Sequence, residues 1–198
     1  MKKIFKKFFF VNRLDLISKF VDLNNPLILE IGVHRSSFSR ELYNKFNPQK
    51  MFLVDPWKAL DDEIYEDSFY GNSDNNNQAI QDQYYSEVVK NFENEIKDNR
   101  VEIFRDTSDN FFLSNKIKFD LIYIDGNHLY EYVKRDISNS LKYLNINGII
   151  VLDDYLVKGW WQDGVTKAVN DFKNNNKIKI LEKHSLFNFH NQCVLTKL

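Results

Sequence analysis

The stretch Phe119-Asp-Leu-Ile-Tyr-Ile-Asp-Gly-Asn-His128, followed one helix's length later by Gly148-Ile-Ile-Val-Leu-Asp-Asp154, decides the fold. Each contains an apolar run that ends in aspartate. Strands buried on both faces of a parallel sheet read as continuous hydrophobic runs, and such sheets bind their ligands beyond the carboxyl ends of the strands. Asp125, Asp153 and Asp154 are therefore expected at one edge of the sheet, and the chemistry with them.

Working outward, Leu27–Ile31 and Met51–Val54 read as two more buried strands. Between them lies a helix carrying Phe38, Leu42 and Phe46, which Ser36 or Ser37 can cap. That is a β-α-β unit, whose crossover should be right-handed. Val101–Phe104, Phe119–Ile124 and Ile149–Leu152 bring the parallel strands to five, with a helix through Tyr130, Val133, Ile137 and Leu141 before the last. Ahead of the first strand, Leu14, Ile17, Phe20 and Val21 recur at helical spacing until Asn24-Asn25-Pro26 breaks it. Ile80, Tyr84, Val88, Phe92 and Ile96 lie four apart and predict one continuous helix from about Gln78 to Lys97. A helix over Val165–Phe172 and an antiparallel pair, Ile178–Leu181 with Cys193–Thr196, complete the pattern. The expectation is an α/β chain: a doubly wound, mostly parallel sheet with an antiparallel C-terminal strand and helices on both faces. Residues 1–198 read as one domain, with an N-terminal helical extension (1–25) and a lid-like, asparagine-rich insertion (57–98).

Composition narrows the partners. A chain of 198 residues can bury a core without disulfide or metal staples. A formal net charge of -1 gives no global attraction for nucleic acid, which needs clustered excess Lys and Arg. The lone Cys193 allows neither a disulfide nor a thiolate metal site within the chain. Met1–Val11 is basic and then apolar, but the apolar run stops at Asn12 and Arg13, too short for a signal core, and no stretch reaches the length of a membrane span. A cytoplasmic protein acting on a small molecule or glycan is expected. Contact of Lys2, Lys3, Lys6 and Lys7 with a membrane surface stays open, as does a homo-oligomer.

Glu30-Ile-Gly32 ends the first strand and opens the loop where a nucleotide cofactor meets backbone N–H groups, and Asp55 ends the second strand where a carboxylate can accept from ribose hydroxyls. The loop has no G-x-G-x-x-G, since Val33-His-Arg-Ser-Ser-Phe38 offers no second glycine. A pyrophosphate is therefore disfavoured, and S-adenosylmethionine, with an amino-acid moiety and a ribose but no phosphate, fits better. Asp125, Asp153 and Asp154, brought together, would repel one another unless a cation or protons intervened. Hard oxygen donors without Cys or a His pair favour Mg²⁺, or Ca²⁺ and Mn²⁺, over zinc. A divalent cation would lower the pKa of an acceptor hydroxyl, and His128, three positions after Asp125, could take its proton.

Leu29-Glu-Ile-Gly-Val-His-Arg-Ser-Ser-Phe-Ser39, Val54-Asp-Pro-Trp57, Ile124-Asp-Gly-Asn-His-Leu-Tyr130, Gly148-Ile-Ile-Val-Leu-Asp-Asp154 and Gly164-Val-Thr-Lys-Ala-Val169 resemble the small class I methyltransferases related to macrolide-sugar and cephalosporin-pathway O-methyltransferases. The resemblance runs from about Leu27 to Phe172 and implies a Rossmann-like methyltransferase sheet. It implies that Glu30, Gly32, Ser36, Asp55 and Asp125 line the S-adenosylmethionine site, with Ser36 standing where the family has a second glycine. It also implies that Asp106, Thr107 and Ser108 meet the adenine, that Asp125, Asp153 and Asp154 hold the metal, that His128 is the base, and that the acceptor is a sugar, glycan or sugar-bearing metabolite.

Two other readings remain at this point. Replacement of the glycine by Ser36 suggests a cofactor-binding scaffold without turnover. Tyr130-Glu-Tyr-Val-Lys134 has the Tyr-x-x-x-Lys spacing of short-chain dehydrogenases, although it follows the fourth strand and lacks their glycine-rich loop.

Overall fold

A computed structural model describes residues 13–21, 25–68, 71, 77–186 and 189–198. The basic Met1–Val11 stretch and Asn75-Asn76 of the insertion lie outside the described residues. The chain runs α1 (Arg13–Ser18), β1 (Leu27–Ile31), α2 (Ser37–Phe46), β2 (Lys50–Val54), a 3₁₀ turn (Glu63–Tyr65), α3 (Gln78–Asn91), α4 (Glu93–Lys97) and β3 (Val101–Phe104). It continues with α5 (Ser108–Ser114), β4 (Phe119–Ile124), α6 (Tyr130–Lys142), β5 (Leu144–Leu152), α7 (Gly164–Asn174), β6 (Ile178–Leu186) and β7 (Phe189–Lys197).

The strands form one sheet in the order β3-β2-β1-β4-β5-β7-β6. The first five are parallel neighbours, and β7 inserts antiparallel between β5 and β6. The expected Rossmann-like α/β sheet, with its antiparallel C-terminal edge, is what the chain forms. Strand order reverses at β1, so the crevice between β1 and β4 opens at the carboxyl ends carrying Gly32 and Asp125.

Alternation along each strand divides the core into two layers. Leu29, Phe52, Ile122 and Ile150 face one side and pack with Phe111 of α5, Ile137 of α6 and Ala168 of α7. Ile28, Met51, Leu121 and Tyr123 face the other and pack with Leu16 and Ile17 of α1, Leu42 and Phe46 of α2, and Val88 of α3. Burying both faces is why the strand sequences show no polar alternation.

Several elements differ from the sequence reading: β6 and β7 extend well beyond Ile178–Leu181 and Cys193–Thr196, and three others differ for identifiable reasons. The helix expected over Gln78–Lys97 divides at Phe92, which leaves helical geometry (φ -111, ψ 19), is fully buried, and packs on Tyr43 and beneath the Arg40 guanidinium. A four-residue spacing persists across such a break and cannot reveal it. Helix α5 had no periodic signal, because Phe111-Phe112-Leu113 is an unbroken apolar triplet of which Leu113 is exposed. β5 begins at Leu144 rather than Ile149, with a register irregularity opposite Phe119 and Leu121 and a left-handed Asn147 ahead of Gly148. Among the described residues no helix is long and apolar enough to cross a membrane.

Candidate active site

The parallel pairing of β4 with β5 places the segments after Ile124 and Leu152 side by side, so Asp125, Asp153 and Asp154 leave the sheet at the same edge. His128 stands between two of them. Its Nε2 lies 3.3 Å from Asp125 Oδ1 and its Nδ1 3.6 Å from Asp154 Oδ2. The Nε2 atom is buried, and its direction toward Asp125 makes no hydrogen bond. Asp154 adopts a left-handed backbone (φ 54), a conformation that aspartate tolerates better than most residues. Burial alone would lower the His128 pKa, but the close contact with Asp125 first, then the charges of Asp125, Asp154 and Asp153, outweigh it and hold the ring above the ordinary histidine value. Asp125 is displaced upward by desolvation and by repulsion from Asp153, with His128 opposing.

Asp153 faces elsewhere. It is buried, its Oδ1 accepts from the Asp154 backbone N–H at 3.1 Å, and its Oδ2 accepts from Arg13 Nη1 at 3.0 Å and from the Tyr123 hydroxyl at 2.9 Å. Tyr123 in turn accepts from Gln192 Nε2 at 2.8 Å. Among the described residues no group of three or more His, Cys, Asp or Glu side chains is arranged to hold a metal ion. The expected three-carboxylate cage is therefore not assembled: two carboxylates flank His128 and the third pairs with Arg13.

The loop after β1 is organised from within. Gly32 has φ +88, and a Cβ there would lie 2.1 Å from the Asp125 carbonyl oxygen, so glycine is required for β1 and β4 to end side by side. Asp55 Oδ2 accepts from the backbone N–H groups of Val33 and His34 at 2.9 and 3.0 Å, and its Oδ1 accepts from the Trp57 N–H at 2.7 Å. The carboxylate thus shapes the loop that faces it. Ser36 keeps a left-handed conformation (φ 62), as a glycine would, but it is buried, caps no helix N–H, and accepts from Asn91 Nδ2 at 3.1 Å. Glu30 is buried beneath the loop, where desolvation pushes its carboxyl up to about 8.

After β3, Asp106 accepts from the Thr107 N–H and from Asn110 Nδ2, Thr107 caps α5, and the Ser108 hydroxyl donates to buried Asp136 on α6. All three polar groups have structural partners, which residue type alone could not reveal. The dehydrogenase-like pair sits on the surface of α6, where the Tyr130 hydroxyl donates to Asp171 and Lys134 lies over the Tyr130 ring.

Four residues escaped sequence reading as members of this edge. Tyr65, from the insertion's 3₁₀ turn, accepts from Asn127 Nδ2 at 2.9 Å and meets Trp160 edge-on at 5.3 Å. Trp161, next to Trp160, contacts the His128 ring at 4.7 Å. An aromatic wall therefore stands beside the imidazole. Tyr65, Asn127, Tyr123 and Arg13 gave no signal in the sequence, because their partners lie 30 to 140 residues away. Trp57, read as the start of a lid, is instead core: it is buried, and its Nε1 donates to the His34 carbonyl.

A reversing parallel sheet with an antiparallel final hairpin, and polar loops gathered at β1 and β4, defines a class I methyltransferase, the class that uses S-adenosylmethionine. Residues 29–155 match the family described as "Methyltransferase domain", and the chain belongs to it. No curated protein matches the chain. Solved structures share the fold at low identity. An O-methyltransferase from Bacillus cereus in complex with SAH superposes with a TM-score of 0.61 at 13% identity, covering 92% of this chain and 77% of that one. An rRNA methylase from Streptococcus thermophilus gives 0.60 at 12%, covering 93% of each chain. The ribosomal protein L11 methylase from Lactobacillus delbrueckii subsp. bulgaricus gives 0.59 at 13%, covering 93% of this chain and 76% of that one. Nothing in fold or family supports the dehydrogenase reading.

Proposed function

We propose that this chain transfers the methyl group of S-adenosylmethionine to a hydroxyl of a sugar, glycan or sugar-bearing metabolite, as a relative of the macrolide-sugar and cephalosporin-pathway O-methyltransferases. The observation that carries the reading is His128, held between Asp125 and Asp154 with a buried and unbonded Nε2. SAH in the Bacillus cereus O-methyltransferase of the same fold supports the cofactor. Gly32, Ser36 and Asp55 would border its methionine and ribose portions, with Glu30 beneath and Asp125 at the rim, and Asp106, Thr107 and Ser108 would border the adenine. The Tyr65, Trp160 and Trp161 wall offers apolar ring faces of the kind on which sugars stack.

In the reaction the acceptor oxygen attacks the methyl carbon as the carbon–sulfur bond breaks, and the sulfonium leaves as a neutral thioether. The hydroxyl proton passes to His128 Nε2, and the carboxylates on either side stabilise the imidazolium that forms. Asp125 and Asp154 also suit a divalent cation, because Mg²⁺ is ordinarily held by one or two carboxylates with water and substrate oxygens completing its shell. Such a cation supplies acidification and orientation of the acceptor hydroxyl. Asp153, bonded through both oxygens, is left out of that set.

The test is incubation with S-adenosylmethionine and a panel of sugar-hydroxyl acceptors, read by mass spectrometry with and without EDTA. Methylated product that EDTA suppresses and Mg²⁺ restores is the expected result. Calorimetry that finds NAD(P) bound and S-adenosylhomocysteine unbound would overturn the reading.

A further inference from the structure

The insertion between β2 and β3 carries α3, and one face of that helix meets the cofactor loop at three successive residues. Tyr84, Glu87 and Asn91 lie three and four positions apart and so share a face. Tyr84 meets the His34 ring edge-on at 4.9 Å, Glu87 accepts from Arg35 Nε at 2.9 Å, and Asn91 Nδ2 donates to the Ser36 hydroxyl oxygen at 3.1 Å. The Arg40 guanidinium donates to the Asn91 backbone carbonyl. At the next residue, Phe92, the chain leaves helical geometry and is buried under the same guanidinium. Asn91 is thereby fixed at the end of α3 with its amide facing the loop.

We propose that Asn91 is a positioning residue for S-adenosylmethionine: its amide tethers Ser36 in the left-handed conformation on which the shape of the cofactor loop depends. Ser36 has φ 62 and ψ 18, and its backbone N–H closes a turn on the Val33 carbonyl at 2.9 Å. Glycine holds such a conformation readily, whereas a side chain opposes it. A serine there needs a hold from outside the loop, and Asn91 supplies it. The neighbouring Arg35–Glu87 pair is more exposed and holds less firmly. Without the tether the loop spends part of its time in other conformations, and the apparent affinity for the cofactor falls in proportion. The inference rests on the placement of S-adenosylmethionine against the loop after β1, and takes nothing from the acceptor or the cation.

Calorimetry of S-adenosylhomocysteine binding to the full chain tests this without turnover. Asn91→Ala, at an exposed position, should bind about tenfold more weakly than wild type, the scale set by an untethered left-handed residue. Made in a Ser36→Gly chain, the same substitution should cost less than about twofold, because glycine needs no tether. No loss in Asn91→Ala, or an equal loss in both backgrounds, overturns the proposal; equal losses would mean that Asn91 does not act through Ser36. Should Asn91→Ala not fold, Ser36→Ala and Ser36→Gly decide by comparison with each other. Both lack the hydroxyl, and the alanine variant should bind about tenfold more weakly than the glycine variant; equal affinity refutes the tether. Failure of the wild type to bind S-adenosylhomocysteine removes both this proposal and the cofactor site of the proposed function, while wild-type binding that Asn91→Ala leaves unchanged removes only the tether.

Discussion

At the scale of single residues, His128 and Gly32 do different work. If His128 takes the acceptor proton, His128→Ala should leave S-adenosylhomocysteine binding intact and lower kcat by roughly 10²- to 10⁴-fold, the usual worth of a positioned base. Undiminished kcat would remove the residue from the mechanism. Gly32 was legible as a glycine of the cofactor loop, but the reason for it was not. Its missing side chain faces the Asp125 carbonyl, so Gly32→Ala must displace the ends of β1 or β4. We expect a loss of about 3 kcal/mol or more in urea denaturation, in line with a forced left-handed residue in collision with backbone. A loss below 1 kcal/mol would show that the loop relaxes freely. Asp55 and Asp153 illustrate what sequence hides at this scale: both were read as facing a ligand, and both have their carboxylate oxygens bonded within the protein.

Among the elements, the strands were the most legible, because burial on both faces leaves each as a compact apolar run. The helices were less so. Phe92 interrupts α3–α4 without disturbing the spacing, and α5 depends on capping by Thr107 and on a tertiary bond from Ser108 to Asp136. That bond joins α5 to α6 in a setting where desolvation, the leading cause, pushes Asp136 up from 3.8 to about 7. The sign follows directly. Between those two values the folded chain holds a proton that the unfolded chain has released, so stability falls as pH rises through the window and levels off above it. Asp136→Asn keeps an acceptor for Ser108 and has no proton to lose. Relative to wild type it should therefore be more stable at pH 8 than at pH 5, by on the order of 1.4 kcal/mol for each pH unit between 5 and the raised pKa. Parallel stability curves for the two proteins, measured by urea unfolding across that range, would exclude a raised Asp136.

Across the whole molecule, one polar chain ties the sheet to the layer of α1 and α2 at the active edge. It runs from Gln192 on β7 through Tyr123 on β4 to Asp153 after β5, and on to Arg13 of α1 packed beneath Phe38 of α2. The antiparallel hairpin was foreseen from two late apolar runs, but its link to the catalytic edge was not, since it depends on β7 entering between β5 and β6. Tyr123 is fully buried, and its hydroxyl both accepts from Gln192 and donates to Asp153. Tyr123→Phe preserves the ring in the core and removes one partner from each neighbour, leaving buried polar atoms underbonded. A loss of about 1–3 kcal/mol is expected, the cost of stranding such groups. Gln192→Leu alone should also destabilise, since Tyr123 would lose its donor. Combining the two should cost less than their sum, because removing both ends of a buried hydrogen bond is gentler than removing one. A double-mutant cycle in urea would measure the coupling. Strict additivity would mean that the hairpin and the catalytic edge are held independently, and that the polar chain from β7 to α1 has no energetic unity.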